Sequence, residues 1–176
     1  MRLKINLLLL LIATVFNCSE IDKLTEFDIT EDFDTSIEIS IPDNDGGNAT
    51  SLSESSTIDI STNAEINKNL DLIQDATINS LTYEISDFTG AENATITNAS
   101  LNIGGTIIAV NAINLKQSDD NNTIYSIENT DKLKGIATYL KNNSTATITL
   151  SGELSTTPVT FNIIIELEST FTIDVI

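Results

Sequence analysis

Residues 26–41 read EFDITEDFDTSIEISI, and their side chains alternate almost without fault. Phe27, Ile29, Phe33, Ile37, Ile39 and Ile41 hold the odd positions. Glu26, Asp28, Thr30, Asp32, Asp34, Ser36, Glu38 and Ser40 hold the even ones. Successive side chains of a strand point to opposite faces, so this period of two predicts one buried and one solvated face. The acids are then the wet side of a strand rather than a disordered acidic tail. Glu31 falls on the apolar parity and is the expected bend or break, since an unbroken strand here would reach about 50 Å.

The C-terminal stretch repeats the pattern. Val159, Phe161, Ile163, Ile165, Leu167, Phe171, Ile173 and Val175 share one parity, with Ser169 as the interruption. Pro158 suits a strand start, where its missing N–H costs little. Ile164 breaks the polar side, which predicts a central strand covered on both faces near its middle. Between the two ends, segments rich in Ile and Thr predict strands over 56–61, 77–88, 94–103, 106–115, 123–128 and 145–154. Gly104-Gly105 reads as a two-residue hairpin turn, and 119–122 and 141–144 read as loops. One segment keeps helical rhythm: within 131–141, Leu133, Ile136, Ala137 and Leu140 fall at i, i+3, i+4 and i+7. Thr130 or Asp131 can cap it, and Gly135 weakens it by about 1 kcal/mol relative to Ala. A shorter turn is expected where Ile66, Leu70 and Ile73 share a face. It could close the open end of a sandwich over Leu81 and Ile85, either as plain core or as the roof of an apolar pocket.

Many short strands, little helix and no long repeat predict an all-β protein, a single β-sandwich, immunoglobulin-like or similar, with one short α-helix near 131–141. A β-barrel of similar strand count is the alternative. An outer-membrane barrel is not expected, because the strands lack aromatic girdles.

Composition narrows the chemistry. The 176 residues carry 26 acids against 8 Lys and Arg, a formal charge of -18. Such a body repels phosphate backbones, so no nucleic acid is expected as partner. Histidine and Trp are absent, and there is one cysteine. Triads and zinc sites lose their commonest participant, and disulfide stapling is ruled out within the chain. No G-x-S-x-G, S-x-x-K, P-loop or G-x-G-x-x-G occurs. The expectation is a protein that is not an enzyme, although a pair of carboxylates could still serve a hydrolase.

The single cysteine, Cys18, stands in VFNCSEID, residues 15–22. Upstream, Arg2 and Lys4 precede an apolar run over residues 7–16, which as helix spans about 15 Å, half of a hydrocarbon core. That is the length of a signal-peptide h-region. The segment resembles a bacterial lipoprotein signal peptide, whose lipobox has an aliphatic residue three before the cysteine, here Val15. Phe16 and Asn17 fill the intervening positions, which are usually small. Bacteroidota-type lipoproteins tolerate such residues. The acidic cluster Ser19, Glu20, Ile21, Asp22 is similar to the surface-export signal of that group. The resemblance implies residues 1–17 as signal peptide, Cys18 as the lipid-attachment site, and 18–25 as anchor and tether, leaving 26–176 as the sandwich domain. It also implies an outer-membrane lipoprotein facing the cell surface, with a periplasmic face as the alternative. Loss of residues 1–17 removes two cations and no acid, moving the charge from -18 to -20.

Two loops have oxygen-rich chemistry. Asp43, Asp45 and Asn48, beside Gly46-Gly47, could ligate structural Ca²⁺, as could Asp119 and Asp120. The plain reading of both is a turn, the glycine being one place out for an EF-hand and no closing acid following. No other cofactor is expected. Taken together, these features lead us to expect a membrane-anchored, non-catalytic binding or adhesion module for an envelope protein or extracellular polymer. A carrier of apolar ligands is the runner-up.

Overall fold

The computed structural model describes residues 25–43 and 49–175. These form β1 (Glu26–Ile41), β2 (Thr50–Asp59), β3 (Ile73–Gly90), β4 (Thr95–Ile103), β5 (Thr106–Val110), β6 (Ile113–Asn114), β7 (Ile124–Ser126), β8 (Thr145–Leu154) and β9 (Val159–Asp174). The helices are α1 (Ala64–Lys68), α2 (Leu115–Asp120) and α3 (Thr130–Asn142), with 3-10 turns at Ile60–Thr62 and Leu70–Leu72. Cys18, Ser19, Glu20 and Asp22, and likewise Asp45 and Asn48, lie outside the described residues, and so do the roles expected of them.

The strand pairing has a simple rule. Glu26 pairs with Asp174 and Ile41 with Val159. Further in, Thr50 pairs with Leu154 and Asp59 with Thr145. Thr82 then pairs with Ser126, and Ile103 with Thr106 across the turn. The chain is thus one long antiparallel ribbon running from its two ends to Gly104-Gly105. Both glycines have positive φ, +54° and +89°, the conformation that a tight two-residue hairpin demands. Folding the ribbon back on itself gives sheets ordered β1-β9-β3-β7 and β2-β8-β4-β5, with β6 beside β4. The expected β-sandwich is present, and this alternation of ribbon partners between two sheets is the jelly-roll order of two Greek keys.

The sheets meet through the residues that the alternation selects. Ile37, Ile39, Phe161, Ile163, Ile165, Phe171 and Ile173 are buried. Phe33 meets Phe171 edge-to-face, centroids 6.4 Å apart at 84°. Each such side chain contributes about 1.5–3 kcal/mol on burial.

Several local expectations change. β1 and β9 run unbroken, and the two residues expected to interrupt them, Glu31 and Ser169, are cross-strand partners. One polar pair therefore takes the apolar parity of both strands without bending either, with Ile78 on the other side of Ser169. β9 is central, as expected, but Ile164 is only half-buried, with Ser36 and Glu84 opposite it. The segment expected as one strand over 106–115 divides into β5, β6 and the start of α2. There the Asn114 side chain accepts from the Gln117 N–H and starts the helix. Helix α3 is capped by Asn129, whose side chain accepts from the Lys132 N–H, rather than by Thr130 or Asp131. Leu81 and Ile85 are ordinary core.

Strand polarity gives the sandwich two distinct ends. Glu26, Ile73 and Asp174 open or close their strands at one end, beside α1 and α3. The connections 91–94, 111–123 and 155–158, with α2, gather at the other, where β1 ends and β2 begins.

Candidate functional site

The loop end holds the described acids expected to bind calcium, and local bonding occupies Asp119 and Asp120. Asp119 Oδ2 accepts from the Phe88 N–H at 3.2 Å, tying α2 to the end of β3. Asp120 takes Lys116 Nζ at 2.8 and 2.9 Å, one turn apart on α2. That carboxylate, through its hydrogen bond first, raises the Lys116 pKa above the ordinary lysine value. Asp43 is exposed just beyond β1. No group of three potential ligands converges among the described residues. Asp119 and Asp120, expected in a loop, are helical. They belong to the last turn of α2, where the Lys116 pair and the Asn114 cap favour helix over turn.

Near this end Tyr83 of β3 stacks on Tyr125 of β7, with centroids 5.0 Å apart and rings 13° from parallel. Burial, and then the Tyr125 hydroxyl, push the Tyr83 pKa up to about 12. Tyr125 donates its own hydroxyl to buried Ser118 at 3.1 Å.

An apolar concavity is at the opposite end. A cleft of about 440 Å³ lies where α3 meets the first part of β3. Ala76, Ile78, Leu133 and Ala137 give it an apolar floor, and Asp75, Thr77, Thr130, Lys134 and Thr138 edge it. α3 packs on β3 and also on the β4–β5 hairpin. A Cβ on Gly135 would stand 2.8 Å from Thr106 Oγ1, and one on Gly104 would stand 2.5 Å from the Tyr139 ring. Both glycines let α3 press against the hairpin while its other side lies against β3. The helix and its apolar stripe are legible in the sequence, whereas the cleft beside it is not. Gly135, noted only as a weakness, was the available sign of close packing.

A third feature is the wet face of the first sheet. Asp32 lies opposite Glu168, and Asp34 opposite Glu166. These acids edge a shallow hollow of about 420 Å³ with Ser80 and Ile164. Hydroxyl and amide donors sit among them: Thr172 donates to Asp28 at 2.7 Å and Asn162 to Asp87 at 3.0 Å.

No protein-family model matches the chain. No curated protein matches it either. Among solved structures it is similar to the decameric BFDV capsid protein, at 9% identity over 82% of this chain and 99% of that one, with a TM-score of 0.45. The 60-mer form of the BFDV capsid protein gives 8%, 86%, 97% and 0.38. Desmodium yellow mottle tymovirus gives 10%, 85%, 90% and 0.34. The assignment of the fold rests on the strand order of the chain itself.

Proposed function

We propose that this chain is a lipid-anchored module of the cell envelope that acts by binding an envelope protein or extracellular polymer rather than by catalysis. One observation carries the reading: the described chain enters at one end of the sandwich, and the connections 91–94, 111–123 and 155–158 lie at the other. With Cys18 as anchor, the seven residues 19–25 reach at most about 25 Å. β1 has 16 residues, which adds about 50 Å. The loop end would then stand well clear of the membrane, where a partner can meet it.

The test treats intact cells with protease and follows the wild type beside Cys18→Ser. Membrane recovery of the wild type alone, with digestion from outside, is the expected result. Protection until the outer membrane is broken would move the module to the periplasmic face. Equal membrane recovery of Cys18→Ser would overturn the anchor.

A further inference from the structure

The loop end carries hollows around α2 whose chemistry differs from the rest of the surface. The first, of about 270 Å³, lies between α2 and the entry to β7. Asn114, Gln117, Ser118, Asn121, Thr123 and Tyr125 supply its polar wall, and no charged residue lines it. The chain has 26 acids, and both the α3 cleft and the hollow on the first sheet include some of them.

Hydrogen bonding within the fold leaves much of this wall unused. Asn114 is committed, since its Oδ1 accepts from the Gln117 N–H at 2.8 Å and its Nδ2 donates to the Glu92 carbonyl at 3.2 Å. The side chains of Gln117, Asn121 and Thr123 have no hydrogen-bond partner among the described residues. Their backbones do the structural part: the Asn121 N–H donates to the Gln117 carbonyl at 3.2 Å, and the Thr123 N–H to the Ser118 carbonyl at 3.0 Å. With Asn122 left-handed at φ +47°, these bonds turn the chain out of α2 and bring Asn121 and Thr123 to the same hollow. Ser118, 2% exposed, accepts the Tyr125 hydroxyl at 3.1 Å, and its own proton has no acceptor among the described residues. Tyr125 is held in turn by its stack on Tyr83. The polar groups are thus fixed in place beforehand, which lowers the ordering cost of binding.

The hollow also continues. Asn114, Gln117 and Asn121 line a second one of about 420 Å³, which adds Glu92, whose carboxylate makes no described hydrogen bond. A trough therefore passes over α2 from neutral amides to an acid. Its chemistry selects the ligand. Anions are opposed by the net charge of -18 and by Glu92, Asp119 and Asp120 nearby. A metal ion finds no carboxylate in the first hollow. An apolar molecule would strip water from amides and hydroxyls without replacing it. A neutral polyhydroxyl ligand meets none of these objections, because each amide offers two N–H donors beside a carbonyl acceptor to hydroxyls that both donate and accept. The α3 cleft is larger, but Asp75 and Lys134 share its edge and no described group there points to an occupant.

We propose that the trough over α2 binds a neutral oligosaccharide, with one sugar against Gln117, Asn121 and Thr123 and the next extending to Glu92. Sugar hydroxyls pair with the two side-chain amides, and one of them accepts the spare Ser118 proton. This gives a chemical class to the extracellular polymer of the proposed function and rests on that reading, but not on Cys18, so either can fail alone.

The test uses the full chain in detergent and saturation-transfer NMR with maltotriose, cellotriose and mannotriose, beside trigalacturonic acid. At least one neutral sugar is expected to bind saturably below about 10 mM, and the acidic one at least about tenfold more weakly. Gln117→Ala combined with Asn121→Ala is expected to weaken that binding at least about tenfold while Tm holds within about 2 °C, because neither side chain has a described partner. Cys18→Ser should bind as the wild type does, which separates sugar binding from anchoring. Failure of every neutral sugar to bind at about 10 mM overturns the proposal. So does undiminished binding by the double variant, or a preference for trigalacturonic acid. A neutral glycine–serine peptide that binds where no sugar does gives the trough to a protein partner and overturns it too.

Discussion

Gly135→Ala sets helix propensity against packing, and the outcome tests how α3 is seated. In an exposed helix interior the change gains about 1 kcal/mol. Here the new Cβ would stand 2.8 Å from Thr106 Oγ1, inside any ordinary contact. Forcing a methyl into such a space costs about 1–3 kcal/mol. The net effect ranges from neutral to about 2 kcal/mol destabilising. Thr106→Ala removes the offending oxygen and leaves the Thr106 Cβ position 3.8 Å away, an ordinary contact. In that background Gly135→Ala should stabilise by about 1 kcal/mol, so the two changes couple by about 1–3 kcal/mol. For a chain of this size each kcal/mol moves Tm by about 2–4 °C. Thermal melts of the four proteins of the cycle measure it. A rise of about 2–4 °C for Gly135→Ala alone, equal in both backgrounds, would refute the close seating of α3 on the β4–β5 hairpin.

Two further perturbations probe buried polar groups. Ser169 is 0% exposed and its Oγ has no hydrogen-bond partner. Ser169→Ala should therefore change stability by less than about 1 kcal/mol, whereas neighbouring Phe171→Ala should cost about 3–5 kcal/mol in urea unfolding. A loss above about 2 kcal/mol for Ser169→Ala would mean that the hydroxyl has a partner, Glu31 opposite it being the first to test. Tyr83 predicts an alkaline effect. Below pH of about 10 its phenol is neutral in both states and contributes no pH dependence. Between there and its folded pKa of about 12, the unfolded chain ionises first, so stability falls as pH rises. Tyr83→Phe should flatten that interval relative to the wild type in denaturant midpoints, and identical slopes would contradict the burial assigned to the ring.

The sandwich was legible because β1 and β9 are alternating strands with one wet face, and alternation survives any strand order. What alternation could not give was which strands pair. That depends on the ribbon rule, which becomes visible only when Glu26 meets Asp174 and Ile103 meets Thr106. Glu31 and Ser169 looked like two separate breaks because their positions lie far apart in the chain. Opposite one another they form a single polar pair. Helix α2 was hidden by composition, since Asp and Asn favour turns, and the Asn114 cap and the Lys116–Asp120 pair outweigh that tendency locally. The α3 cleft was less legible still. It depends on how α3 lies over β3 beyond the short β7, which is not a pattern along the chain.

Charge is sorted over this fold in a way the net value of -18 conceals. The five described lysines, at 68, 116, 132, 134 and 141, are all on helices, and the strands carry none. The wet face of the first sheet sets Asp32 against Glu168 and Asp34 against Glu166, pairs that repel across the strands. The wet face of the second is largely hydroxyl, with Ser53, Ser151 and Ser100 in one row and Ser55, Thr149 and Asn102 in the next. Lys132, Lys134 and Lys141 mark the end where the described chain begins, and the lysine at the loop end is bound to Asp120. On the proposed anchoring, the acidic rows extend away along β1 and β9, and tipping the sandwich flat on that face would bring them within the Debye length, about 8 Å, of any anionic headgroup layer. That repulsion favours an upright posture, which keeps the loop end farthest from the membrane.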